Sequence, residues 1–453
     1  MTQLKTLASS IAFLVFAGLT LSGCWLPLAA PTPPGAEAGS VHLNDLACPS
    51  ATVCVAVASY DFPPPNNTSG QAYVETLSQG TWSASVPSLP TDADGMMGTL
   101  FGVSCISVGS CVAVGTYEES PGVHEPLVET LSDGTWTPLQ APLPSDAAIA
   151  PQYATLGPIS CASDGTCVAT GSYYLTGQHT PIGLVETLTG GSWTAMVTPL
   201  PPGATGTPPT GQPSCSSVST CFIVSGQYYD VLSGSQWLPG TFPVPAGEQV
   251  AYMDNVSCVL AGTCVAIGSY GGVGSAGPLF ETYADSGWTP TLAPMPNSAS
   301  ADDLLRLSNI DCITTASCVV IGTYQTGPGA DALFSETLTA NTWTTSSIPL
   351  PPLATAGSFG ALSCDSGPTC SAVGSYGNGQ LSFGFTTTLS DGVWKSADAV
   401  VPIYTLGLQG SSFSAVACPT SARCYAIGGY GAEISPVANA DPMIETELLP
   451  NLP

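Results

Sequence analysis

Residues 100–117 read LFGVSCISVGSCVAVGTY. Two alternating segments, rich in β-branched and small apolar residues, flank a cysteine pair, Cys105 and Cys111, with five residues between. Alternation of this kind marks strands, and the short link marks a turn. The same spacing recurs along the whole chain: Cys48 with Cys54, Cys161 with Cys167, Cys215 with Cys221, Cys258 with Cys264, Cys312 with Cys318, Cys364 with Cys370 and Cys418 with Cys424. A fixed period near 54 residues signals an array of supersecondary units. Metal sites use Cys-x2-4-Cys or add His ligands, and this chain has three His. Eight local disulfides are the expectation, which implies an oxidising compartment.

Each unit carries four strand-like segments, A to D. In the second unit they are Leu100–Cys105, Cys111–Tyr117, Pro126–Leu131 and the segment from Trp136. The A–B turn lies within the Cys pair, and Asp133-Gly134 is a strong hairpin signal for C–D. All eight Trp open D segments: Trp25, Trp82, Trp136, Trp193, Trp237, Trp288, Trp343 and Trp394. Trp25 precedes the first A segment, whereas the last unit has A, B and C but no Trp segment. Strand 25–29 therefore completes the last unit. Such an exchange closes the ring of a β-propeller, here an all-β propeller of eight four-stranded blades. Pro-rich D segments place D at the outer edge and A along the channel. The repeats start near 41, 98, 154, 208, 251, 305, 357 and 411 within one domain, 24–453.

The leader has its own signature. Lys5 precedes an apolar run, Leu7–Leu19, too short for a confident membrane span, followed by Leu21-Ser-Gly-Cys24. This resembles the bacterial lipobox and implies a signal peptide over 1–23, lipidation of Cys24 and an acyl anchor outside the cytoplasm. The blade pattern, [SA]-C-x5-C-V-A-[VI]-G-[ST]-Y followed by E and G-x-W, resembles tandem repeats of secreted actinobacterial proteins, which implies propeller architecture and no particular activity. Those repeats often carry Arg-Trp after the Glu; here Thr76-Leu77 and Thr130-Leu131 follow it, removing an ion-pair partner.

An acid stands seven residues before each Trp, as Glu75, Glu129, Glu186, Asp230, Glu281 and Glu336, with Glu445 in the last unit and Thr387 as the exception. Seven B segments carry a Tyr six residues past the second Cys: Tyr60, Tyr117, Tyr173, Tyr270, Tyr324, Tyr376 and Tyr430. Residues recurring in every blade concern the blade, so these acids are read as structural. Buried between blades, they need hydrogen bonds from backbone N–H, Ser/Thr or Tyr, or else protonation.

Composition excludes more than it selects. The 453-residue chain has a formal net charge of −27 because it holds only four Lys and Arg, against 31 Asp and Glu. Phosphate neutralisation needs clustered cations, so nucleic acid is excluded as a partner. No Cys-x-x-Cys-His, His-Glu-x-x-His or EF-hand-like ladder occurs, no cofactor is expected, and metal binding is left open. His42, His124 and His179 are scattered. The C–D turns faintly resemble the Asp-box of sialidase-like propellers, itself a structural motif. Variable B–C and D–A loops, such as Asp61–Gln71, Thr91–Gly98, Glu118–Glu125 and Gly177–Pro181, are where binding residues should collect. The expected function is a cell-surface binding, adhesion or assembly scaffold for a protein or glycan. The alternative is a carbohydrate-active or other propeller enzyme using channel-mouth carboxylates. The scarcity of ion pairs suits an acidic exterior.

Overall fold

The computed structural model describes residues 24–448, apart from 38, 62–69, 96, 149–151, 178–180, 206–207, 218–219, 260–261, 273–274, 297–298, 300–304, 315, 328–329, 353, 366, 368, 378–381, 403–409 and 432–440. Eight four-stranded antiparallel sheets form an eight-bladed propeller. In blades 1 to 7 the strands lie in chain order; in blade 8 the order begins with Cys24–Ala29, paired to Asp441–Leu448. The register runs from Cys24↔Leu448 to Ala29↔Met443, so the N-terminal strand closes the ring. The innermost strands are His42–Ser50, Gly98–Ser107, Thr155–Cys161, Pro213–Ser217, Val250–Val259, Leu305–Thr314, Ala356–Cys364 and Gly410–Thr420. Each of these contacts the next around the circle, and the last returns to the first.

All eight cysteine pairs are disulfides, each bridging the A–B turn of its own blade. Cys48 is bonded to Cys54, Cys105 to Cys111, Cys161 to Cys167, Cys215 to Cys221, Cys258 to Cys264, Cys312 to Cys318, Cys364 to Cys370 and Cys418 to Cys424. The two halves of a bridge differ in setting. Cys54, Cys111, Cys167, Cys221, Cys264, Cys318, Cys370 and Cys424 start the central B strands and are fully buried. Their partners on the inner strands are half-buried, except for the buried Cys418. With every one of these sulfurs bonded and half of them enclosed in the blade core, the pairs are structural staples and present no thiol to a ligand or metal.

The core is divided among the blade interfaces. One cluster joins Ala56, Tyr73, Leu77 and Trp82 of blade 1 to Tyr425, Ile427 and Ile444 of blade 8. The next joins Val55, Val57 and Val74 to Leu100, Tyr117 and Leu127 of blade 2. Alternation along each strand thus sends successive side chains into opposite interfaces. The D-strand Trp faces the preceding blade. Trp82 meets Tyr425 edge-on at 6.1 Å, and Trp343 stacks on Phe280 at 4.0 Å. Trp237 donates to the Thr187 hydroxyl at 3.1 Å, and Trp394 to Ser335 at 2.7 Å.

A repeated hydrogen bond links neighbouring inner strands. The residue before the first Cys accepts the backbone N–H of the first Cys in the next blade. Ser104 accepts from Cys161, Ser160 from Cys215, Ser214 from Cys258, Ser257 from Cys312, Asp311 from Cys364 and Ser363 from Cys418, at 2.8–3.0 Å. Around the first blade the chemistry changes, because Ala47 and Ala417 occupy this position. There Asp45 accepts the Val103 N–H at 2.9 Å, and Ser414 donates to the Leu43 carbonyl at 2.8 Å.

Two sequence features have local causes. Six of the seven C–D turns place both central residues at positive φ, as at Asp133 and Gly134 (50° and 77°), the type I′ geometry that matches strand twist; in blade 4 only Gly234 does so. The Gly of the V-A-V-G motif stands where the inner strand bulges towards it: a Cβ on Gly115 would collide with the Thr99 carbonyl oxygen.

Trp25 is buried among Val373, Phe413 and Met443. Trp25→Ala should therefore lower unfolding stability by about 3–5 kcal/mol, read from the denaturant midpoint. An effect under about 1 kcal/mol would mean that the N-terminal strand does not close the ring.

Candidate functional site

The repeated acids lie inside the blades. Glu75, Glu129, Glu186, Asp230, Glu281, Glu336, Glu445 and the exceptional Thr387 are all fully buried. Each shares strand parity with the residues that pack on the preceding blade, as Glu75 does with Tyr73 and Leu77. Three find the partners their burial demands. Glu75 accepts from Tyr73 at 3.3 Å, Glu336 from Thr345 at 2.6 Å, and Glu445 from the Val400 N–H at 2.9 Å. The expectation of a donor in every interface fails elsewhere. Both carboxylate oxygens of Glu129, Glu186, Asp230 and Glu281 lack a hydrogen bond among the described residues.

The cross-strand neighbours explain this failure. Glu129 sits between Ala113 and Pro138, Glu186 between Ala169 and Ala195, and Glu281 between Ala266 and Pro290. Neither Ala nor Pro offers a side-chain donor. Beside Asp230, the Thr198 hydroxyl is spent on the Pro209 carbonyl. Burial then pushes the carboxyls of Glu129, Glu186 and Glu281 up to about 8, and that of Asp230 to about 7. At neutral pH this favours the neutral acid for Glu129, Glu186 and Glu281, with Asp230 near its midpoint. Where the acid is missing, Thr387 takes a hydrogen bond from Ser396 at 2.9 Å, a neutral pair in the same place. The repeated Tyr serve as ties: Tyr117 donates to Asp92 at 3.1 Å, Tyr173 to Asp146 at 2.9 Å and Tyr376 to Asp398 at 2.6 Å.

The channel carries irregular residues. In seven blades the inner strand has a bulge a few residues before its first Cys, at Asn44, Phe101, Gly157-Pro158, Asp254, Ser308, Gly360 and Ser414. His42, Phe101, Tyr252, Asp254 and Arg306 are exposed on these strands. A cavity of about 530 Å³ spans the inner strands of blades 1 to 4, bounded by Asn44, Asp45, Phe101, Pro158, Thr210 and Gln212. Burial raises Asp45 to about 6, although the Val103 and Leu46 N–H groups favour its ionised form. The other two cations of the body lie apart. Lys395 is exposed on the outer strand of blade 7, and Arg423 lies within 3.5 Å of the Ala51 carbonyl.

The loop face is described in part. Most of Asp61–Gln71, Met96 of Thr91–Gly98, and 178–180 of Gly177–Pro181, His179 included, lie outside the described residues. Glu118–Glu125 is described throughout. Next to it, exposed Tyr153 stands 5.0 Å from His124 and 5.9 Å from Tyr174 between ring centres. Buried Gln152 fixes this group, accepting the Tyr153 and Tyr174 N–H groups and donating to the Ala148 carbonyl. Among the described residues, no group of three or more His, Cys, Asp or Glu is arranged to hold a metal ion, and no helix is long and apolar enough to cross a membrane.

No protein-family profile and no curated protein matches this chain. Solved structures match over most of its length. One described as YCF48 bound to a D1 peptide is 12% identical, covers 94% of this chain and 96% of its own, and has a TM-score of 0.42. The polysaccharide lyase Uly1 is 8% identical, with 90% of each chain covered and a TM-score of 0.45. A fucose-specific lectin from Aleuria aurantia is 11% identical over 83% of this chain and 99% of its own, at 0.35. Likeness at this level is one of propeller architecture alone.

The interior acids fix the direction of pH dependence. Their carboxyls are raised in the fold from an ordinary value of 4.5, so the folded chain binds more protons than the unfolded one between about 4.5 and 8. Stability is then full below the ordinary carboxylate range and is lost as pH climbs towards 8. Each group still protonated contributes about 1.4 kcal/mol per pH unit. The melting temperature should rise as pH falls from 8 to 5, and Glu129→Gln should raise it at pH 8 while leaving it nearly unchanged at pH 4.5. A melting temperature that falls between pH 8 and pH 5 would sink this account.

Proposed function

We propose that the chain is a non-catalytic, lipid-anchored scaffold of the extracytoplasmic surface, which presents its B–C and D–A loop face to a protein or glycan partner. Eight disulfides suit an oxidising, extracytoplasmic setting. The observation that carries the rest is the register of the closing strand. Cys24 lies opposite Leu448, and Leu448 lies opposite Arg423, beside the Cys418–Cys424 staple. The lipid-bearing residue of the proposal thus sits at the stapled end of blade 8. The variable loops leave from the other end, so an anchored molecule turns them away from the membrane.

The two ends also differ in how much they vary. The stapled end repeats one disulfide and one tight turn per blade. The loop end differs from blade to blade in length and chemistry, as binding surfaces on rigid scaffolds do. Of the acids, seven are absorbed into the interior as repeat positions. Asp254 at the channel and the loop acids remain available for recognition.

The test is made in intact cells of a lipoprotein-processing host. Labelled palmitate should enter the wild type and not Cys24→Ser, and an epitope inserted at Gly122 should be accessible to antibody without permeabilisation. Lack of labelling would remove the anchor, and a shielded epitope would reverse the orientation. Turnover of a glycan by the delipidated protein, abolished by Asp254→Asn, would replace the scaffold reading with the enzymatic one.

A further inference from the structure

Seven B strands carry the repeated Tyr, and the residue paired with it on the C strand differs every time. It is Gln71, Glu125, Ile182, Gly277, Ala332, Phe383 and Asp441. Four residues further along the same strand stands the repeat-locked acid, replaced in blade 7 by Thr387. One position serves the blade, and the other is free to serve something else.

In blade 2 this free position is Glu125. The residue is only 7% exposed, and its Oε2 has no hydrogen-bond partner among the described residues. It lines a cavity of about 460 Å³ between the B–C turn and the segment following the D strand. Its lining is polar at Glu119, Glu125 and the Gln140 amide and apolar at Ala141, Leu143 and Ala147. The apolar wall is held in place by the Ala148 N–H on the Tyr174 carbonyl at 2.8 Å and by Gln152 on the Ala148 carbonyl at 2.9 Å. Among the described residues no Lys or Arg lies here, since Arg306, Lys395 and Arg423 belong to blades 6, 7 and 8.

We propose that this cavity receives the side chain of a lysine on a protein partner, with the ammonium between Glu119 and Glu125 and the alkyl stem along Ala141, Leu143 and Ala147. The inference deepens the scaffold reading and rests on it, because the cavity opens among the loops taken there as the binding face. A compact ammonium suits a site with one deeply buried carboxylate oxygen, whereas a guanidinium requires a flat bidentate acceptor. Calcium takes six to eight oxygen ligands, more than these residues offer. The cavity lies within the usual volume range of ligand sites. Glu125 is faced by Asp92, Glu119, Gln140 and Tyr117. Burial raises it to about 7, Gln140 opposes that rise, and the two acids add to it. Assay at pH 8 keeps it ionised.

The mature chain is titrated at pH 8 with a five-residue peptide centred on lysine, the same peptide with Nε-acetyl-lysine or arginine, and n-butylamine. Saturable binding of the lysine peptide, at least tenfold weaker in Glu125→Gln and in Glu119→Gln and absent for the acetylated peptide, is expected. Glu125→Gln installs the residue that blade 1 already holds at Gln71, so the fold should accept it; Glu119→Gln, on a half-buried turn, is the second variant. Equal binding of the acetylated peptide, or affinities unchanged in both variants, would overturn the assignment. Butylamine bound as tightly as the lysine peptide would reject a protein partner in favour of free amines. A shielded epitope at Gly122 would count against the outward orientation and leave these affinities untouched, so the two failures can be told apart.

Discussion

The fold depends on six residues of the N-terminal strand pairing with the last strand of the chain. Apart from the blade 8–blade 1 interface, every blade interface is made by neighbours in sequence. A ring of this kind has no stable stopping point short of closure: without Cys24–Ala29, blade 8 would expose the edge of Asp441–Leu448 and lose the Trp that seals it against blade 7. Unpaired strand edges invite pairing with other chains. Closure by the chain's own N-terminal strand removes that hazard and couples the order of the whole ring to one short strand.

Within the ring, the stabilising elements are those that need no cations. Disulfides constrain each A–B turn, Trp rings fill each interface, and Ser-to-amide hydrogen bonds join inner strands. The interior carboxyls follow the same logic. With Ala and Pro on their flanks, Glu129 and Glu281 have neither salt-bridge nor hydrogen-bond partner among the described residues, and a buried carboxyl in that position favours the neutral form over the charged one. The strongly acidic formal charge therefore overstates the charge of the folded molecule at neutral pH. A surface and an interior that both lose charge as pH falls make an acidic medium the less demanding one.

Much of the architecture was legible because it is repeated. The cysteine spacing gave the period, the Trp count exposed the exchanged strand, and the Asp133-Gly134 step marked the hairpins. Less legible were effects that depend on a neighbour about 55 residues away. The Ser before each first Cys looked like part of a strand pattern; its use emerges only when Ser104 is seen accepting the Cys161 N–H. The donors expected for the interior acids failed for a related reason. Strand register, which the sequence alone did not supply, sets Pro138 and Pro290 directly opposite Glu129 and Glu281.

Repetition also separates structure from recognition. Eight copies of one blade amount to an internal comparison, in which positions that agree report on packing and positions that disagree are released from it. By that standard Glu129 and Glu125, four residues apart on one strand, belong to different categories. Glu129 has counterparts at the equivalent place in most blades and is enclosed between Ala and Pro. Glu125 is the one Glu among the residues paired to the repeated Tyr, where blade 1 has the neutral isostere Gln71 and blade 8 the shorter Asp441, and it faces a cavity instead of a neighbouring core. The same comparison singles out Phe101 and Asp254 on inner-strand bulges where the other bulged blades place Asn44, Gly157-Pro158, Ser308, Gly360 and Ser414. An uncompensated buried carboxylate is destabilising wherever it stands, and shared structure cannot account for one that a single blade retains. Its persistence on the variable face is best understood as serving a charge brought from outside the molecule.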